Sequence, residues 1–204
     1  MKTSNTYVIT ATDADGVCES QTPLGAGALT IDGVLASSGS VTIPTGQHVT
    51  ITCAGSDAGR TFTIVGLDGS GNALTATQAG ADNGTTTSTV NFSKITSVSV
   101  DAATAGAITV GIVATCETPW IPLNTYNHPF VYGYQVDIGT ASFTVQGTLD
   151  SVQDSSITPL AFTVTASASA DAYASVTTPM TAVRLKVTAW TSGDIVFKVL
   201  QSGI

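Results

Sequence analysis

Short stretches in which apolar and polar residues alternate, broken by clusters of Gly, Asp, Asn and Ser, run along most of the chain. A period of two puts successive side chains on opposite faces of a pleat, so these stretches predict antiparallel strands with one buried face. In residues 7–12, Tyr7, Ile9 and Ala11 alternate with Val8, Thr10 and Thr12. Residues 21–31 carry Gly25, Ala26 and Gly27 and make a poor strand apart from their end. The pattern sharpens after Ser40. Val49, Ile51 and Cys53 share one face, and Phe62 and Ile64 another. The run Asp68-Gly69-Ser70-Gly71-Asn72 then predicts a tight reversal, since Gly and Asn accept positive φ. A second hairpin-like pair is expected over 85–92 and 95–101. It is followed by 107–114, where Ile108, Val110 and Ile112 alternate with Thr109 and Gly111.

Residues 115–122 read Thr-Cys-Glu-Thr-Pro-Trp-Ile-Pro, and two prolines so close together predict an extended connector rather than a ladder. Strands are expected again at 131–138, 142–149, 161–166, 182–190 and 194–201. The last pair reads as the clearest hairpin, with Val183, Leu185, Val187 and Ala189 inward and a Thr191-Ser192-Gly193 break. Residues 167–176 allow a short turn of helix. The fold class expected is all-β: two tandem antiparallel β-sandwich domains, Ig-like or barrel-like. Residues 1–115 form the N-terminal domain, 116–122 a Pro/aromatic linker and 123–204 the C-terminal sandwich.

Composition narrows the function classes. No run of about 18 apolar residues occurs, which excludes a membrane-spanning helix. The start, with one Lys2 and no apolar core, predicts a chain used without export by a secretory signal. The net charge is −8, and the bases Lys2, Arg60, Lys94, Arg184, Lys186 and Lys198 form no stripe, so neither nucleic acid nor an anionic membrane is an expected partner. Cys18, Cys53 and Cys116 are an odd set without metal-site spacing; buried free thiols are expected, with one disulfide left open for an oxidising setting.

For catalysis, only His48 and His128 offer imidazole bases, and neither a nucleophile elbow nor a paired-His zinc motif accompanies them. Asp13 with Asp15, and Asp150 with Asp154, read as solvated loops, with a Ca²⁺ site as the minority alternative. The Gly-rich run at 24–29 lacks the continuation of a phosphate cradle. No enzyme activity, catalytic residue, metal site or cofactor is therefore expected. Trp120, Tyr126, Phe130, Tyr132 and Tyr134 fall within fifteen residues. They serve either as a lid and packing for the second domain or as anchors of a protein contact. With Arg184, Lys186 and Lys198 on the expected last hairpin they make up the candidate interface.

Residues 53–111, running CAGSDAGRTFTIVGLDGSGNALTATQAG and on to AITVG, resemble a module of small virion proteins of tailed bacteriophages. Residues 141–162 (ASFTVQGTLDSVQDSSITPLAF) and 180–203 (MTAVRLKVTAWTSGDIVFKVLQSG) are similar to the same group. The resemblance covers over half the chain. It implies a decoration or cement protein on the outer capsid surface, assembled in the host cytoplasm. The implied partner is the major capsid protein, with self-association as a dimer or trimer. A tail, fibre or head–tail junction component is the alternative. An exposed strand edge accepting an extended arm suits either, and residues 1–5 are themselves a candidate arm.

Overall fold

A computed structural model of the protein describes residues 2–126, 131–154 and 157–201. Its strand content is 64%, its sheets are built of antiparallel pairs, and no helix occurs among the described residues. The chain divides into two compact units. One holds Thr10–Cys116, and the other joins the residues up to Ile9 to those from Glu117 onward. The first strand, β1 (Lys2–Tyr7), belongs to the second, discontinuous unit, where Lys2 stands opposite Leu200 and Tyr7 opposite Ile195. This departs from the division expected at 115, and residues 2–5 are a paired strand, not a free arm.

The continuous unit is one sheet of eight strands. Its members are β2 (Asp13–Gln21), β3 (Gly27–Ala28), β4 (Ala36–Ser37), β5 (Ser40–Ser56), β6 (Thr61–Leu67), β7 (Ala73–Ala79), β8 (Asp82–Val100) and β9 (Ile108–Val113). The order is β2-β9-β5-β8-β6-β7, with β3 on β8 and β4 on β5. Strands of 17 and 19 residues are long for one face, and register shifts between Thr42 and Gln47 and between His48 and Thr50 bend β5 along β8. The inward set is the one alternation predicts: Val49, Ile51, Phe62, Ile64, Phe92, Val98, Ile108, Val110 and Ile112 are all buried. The expected reversal near residue 93 does not exist. Ser93 continues β8, its hydroxyl donating to the Asp68 carbonyl, and β8 changes neighbours there, pairing β5 through Ile95 and β6 from Lys94 on. The 68–72 reversal is as predicted: Asp68 Oδ1 accepts from the amides of Ser70 and Asn72 at 2.8 and 2.9 Å, and Gly71 has φ +84°.

The remaining strands of the discontinuous unit are β10 (Cys116–Glu117), β11 (Ile121–Pro122), β12 (Tyr132–Asp137), β13 (Thr140–Thr148), β14 (Phe162–Ala168), β15 (Ala172–Val176), β16 (Ala182–Ser192) and β17 (Ile195–Gln201). They form two sheets. One runs β1-β17-β12-β15 and the other β10-β16-β13-β14, with β11 also on β16. Consecutive strands go to different sheets: β12 then β13, β14 then β15, β16 then β17, each pair joined by two or three residues. The expected hairpin 182–201 is therefore an arch. Val183, Leu185 and Val187 are buried from one sheet and Ile195, Phe197 and Val199 from the other. Gly193, at φ +84°, lies against Gly139 where two of these arches turn side by side. Residues 167–176 hold parts of β14 and β15 rather than a helical turn, because each strand has a neighbour to pair with.

The expected connector is stitched down as well. Thr118 donates its amide to Leu185 O at 2.9 Å and accepts from Leu185 N at 3.0 Å, Ile121 stands opposite Val183, and Leu123 N reaches Thr181 O. The prolines interrupt this edge into two short strands without freeing it.

Deleting residues 2–7 exposes the edge of β17 and removes buried Tyr7. We expect a loss of about 2–4 kcal/mol in denaturant unfolding of the discontinuous unit. An unchanged midpoint would show that β1 is a dispensable arm.

Candidate functional site

Sheet pleating sets which of the eight candidate interface residues can meet. Tyr132 and Tyr134 alternate with Gly133 and Gln135 on β12 and point inward, at 0% and 4% exposure. They are core residues: Tyr132 donates its hydroxyl to Met180 Sδ at 3.1 Å, and the Tyr134 and Thr165 hydroxyls share a hydrogen bond from one sheet to the other. Burial pushes the Tyr132 pKa up, so the phenol stays protonated. Tyr126 is 91% exposed in a loop, its amide donating to Asn124 Oδ1. Phe130 lies outside the described residues, as does His128.

Trp120, Arg184 and Lys186 come together. Alternation along β16 turns Arg184 and Lys186 outward between buried Val183, Leu185 and Val187. Stitching of the 116–123 segment onto β16 then lays Trp120 beside them. The Arg184 guanidinium carbon sits 4.5 Å from the Trp120 ring centroid, a cation–π stack. Arg184 Nε donates to Gln146 Oε1 at 2.8 Å, Gln146 being its register partner on β13. Lys186 Nζ lies 2.8 Å from Glu117 Oε1. Desolvation lowers the Arg184 pKa while nearby Glu117 raises it, and at that distance from neutrality the guanidinium remains charged. A planar cation held from one face and one edge is preoriented, so little rotamer freedom remains to be lost on contact.

Lys198 lies on the outer face of the other sheet. There Lys198 Nζ reaches Asp137 Oδ2 at 2.7 Å, and Gln135 Nε2 donates to Asp137 Oδ1 at 2.6 Å. The same face carries an open depression of about 590 Å³ floored by Gly133 and bordered by Lys2, Tyr173, Lys198 and Leu200. The positive face expected on one hairpin is thus split between two sheets.

The remaining candidates occupy structural places. Asp13 and Asp15 stand at the start of β2, and His48 in β5 opposite Asn91 and Val113. Asp150 Oδ2 accepts from Leu160 N at 2.6 Å, closing the loop before β14. Among the described residues no three His, Cys, Asp or Glu side chains gather as a metal site would need. Cys18, Cys53 and Cys116 are free and buried. Sequence reading passed over Asp57, which is 1% exposed and accepts from Ala105 N at 2.7 Å, fastening the 101–107 loop. No protein-family model matches the chain, and no curated protein matches it.

Two measurements check these assignments. Hydrogen bonds from Lys198 and then Gln135 hold the Asp137 pKa below its ordinary 3.8. A lowered folded pKa gives stability that is present above the unfolded value and lost as pH falls through the folded one. Carbon-detected NMR titration is expected to place the Asp137 midpoint below 3.8, with Lys198→Ala raising it; a midpoint unmoved by that substitution breaks the assignment. Burial, with Asp32 adding, pushes the Cys18 thiol up to about 12. Maleimide labelling at neutral pH should modify none of the three cysteines in the native protein and all three after unfolding.

Proposed function

We propose that this chain is a virion structural protein of the capsid decoration or cement type, which binds the assembled lattice of a major capsid protein. The observation that carries the reading is the Trp120–Arg184–Gln146 assembly with Lys186 and Glu117 beside it, an aromatic and charged cluster on the outer face of a sheet. Trp and Arg are the residues most enriched in the anchors of protein interfaces. The resemblance of residues 53–111, 141–162 and 180–203 to small phage virion proteins supplies the particle. Two all-β units built of antiparallel sheets suit the role, because stiff units lose little entropy on docking.

A protein that binds the assembled shell but not free subunits stabilises that shell by mass action, and many copies on a repeating surface add multivalency. Such a protein needs no bound cofactor and no chemistry of its own. The tail, fibre or head–tail junction reading shares the same surface and differs in where the copies sit.

Copy number separates them. Quantitative mass spectrometry and a reconstruction of the particle are expected to find on the order of hundreds of copies spread over the head. A few tens at one vertex would assign the chain to the tail or the junction. Trp120→Ala with Arg184→Ala should reduce occupancy by about tenfold or more while the strand signal in circular dichroism is kept; full occupancy of the double variant would remove this cluster from the interface.

A further inference from the structure

Gly133 lies in β12 with a strand on either side, opposite Ser175 of β15 and Leu200 of β17. A glycine inside a strand costs roughly 0.5–1 kcal/mol relative to alanine, so it calls for a reason: a positive φ, a bulge, or something that comes close. Gly66, Gly111 and Gly147, which also have strands on both sides, have such a reason. A Cβ at these positions would stand 1.8 Å from Lys94 O, 1.9 Å from Asp13 O and 2.7 Å from Met180 Sδ. Gly133 has none within the fold. Its φ is not positive, its pairings run in unbroken register, and a Cβ there would meet nothing nearer than Ala174 O at 3.7 Å. The chain leaves open a place that it does not itself fill.

Pleating turns every second residue of this sheet outward, and the antiparallel registers line them up in rows. One row reads Lys2, Leu200, Gly133, Ser175 and the next Ser4, Lys198, Gln135, Tyr173. Outward neighbours stand about 4.8 Å away across the strands and about 6.7 Å away along β12, so one missing side chain leaves room for a single ring and not for a folded partner. The depression of about 590 Å³ over Gly133 has the size of a small-ligand site.

The lining selects the ligand. Its charged members are Lys2 and Lys198, two of the six bases in a chain with fourteen acids, and no acid lines it. Asp137 and Asp171 lie outside the lining, where Asp137 accepts from Lys198 and Gln135 and Asp171 from the Ile138 amide. An anion is favoured on that ground. Exposed Tyr173 and Leu200 flank the gap and give apolar walls, the ring of Tyr173 offering a face that attracts C–H groups. Gln135, its amide nitrogen held by Asp137, and Ser175 add an amide oxygen and a hydroxyl. A purely aromatic anion would use the walls and the lysines and leave these polar groups unanswered. A peptide would find no main chain to pair with, because β12 and β17 are bonded on both sides.

We propose that the depression over Gly133 binds an acidic saccharide through one hexuronate ring. The C–H face of the ring lies against Tyr173, its hydroxyls meet Gln135 and Ser175, and its carboxylate is taken by the lysines. This site is on the opposite sheet from the Trp120–Arg184 cluster, and the inference stands apart from the capsid reading.

NMR titration of the full chain, labelled with ¹⁵N, tests it. Trigalacturonate is expected to move the amides of Gly133, Gln135, Ser175 and Leu200 and to saturate them below about 10 mM. Galactotriose, which lacks the charge, and benzoate, which lacks the hydroxyls, should each bind about tenfold or more weakly. Lys2→Gln should weaken trigalacturonate binding by about tenfold. Gly133→Val fills the gap with a residue suited to a strand, so it should abolish the shifts while the unfolding midpoint holds or rises. The absence of saturable shifts with trigalacturonate would overturn the proposal. So would shifts that persist in Gly133→Val, or equal binding by galactotriose or benzoate. Should Gly133→Val fail to fold, Tyr173→Ala decides, since its side chain is exposed: binding is expected to fall about tenfold, and unchanged binding overturns the site.

Discussion

In the discontinuous unit the apolar faces of chain neighbours meet across one core, and the rest of that unit follows from this meeting. Val183, Leu185 and Val187 face inward from one sheet and Ile195, Phe197 and Val199 from the other, with a two-residue link between their strands. Burying each such side chain contributes roughly 1.5–3 kcal/mol. A flat hairpin of the same two strands would leave that combined face without a cover of its own. Folding the strands over each other supplies the cover, and repeating the move at β12/β13 and β14/β15 builds both sheets at once. Outward positions are then left on two separate faces, which is why Arg184 and Lys198 part company.

Alternation in the sequence specifies which face of a strand is buried but says nothing of the neighbour it pairs with. The inward residues of β5, β6, β9 and β17 were legible for that reason, as were those of β16 up to Val187; Ala189, expected inward, is exposed because a register shift against β13 interrupts the alternation there. The 68–72 reversal was legible because Asp68, Gly71 and Asn72 each have a local role. Misreadings arose wherever partner choice mattered. A single strand, β8, looked like two because its neighbours change near Ser93, and an arch looked like a hairpin because both place apolar residues on one side. Prolines at 119 and 122 suggested an extended connector outside any ladder, yet the Thr118 bonds to Leu185 and the pairing of Ile121 with Val183 tie that segment to β16.

The candidate site divides the same way. Five rings close in sequence read as one cluster, but Tyr132 and Tyr134 obey the pleat and enter the core. Trp120 and Arg184, 64 positions apart, meet only because of the short strands on β16. Nothing local in the sequence encodes that contact.

Pairing of β1 with β17 has a consequence for synthesis. β1 leaves the ribosome well before its partner β17, and the whole of Thr10–Cys116 lies between them. That inserted unit holds all its own strands and can complete its sheet while the chain is still growing, because domains generally fold as units. The discontinuous unit must wait. Until β17 has been made, Tyr7 and the apolar side of β12 to β16 lack their full cover, and this nascent stage is when the chain most needs protection from wrong partners.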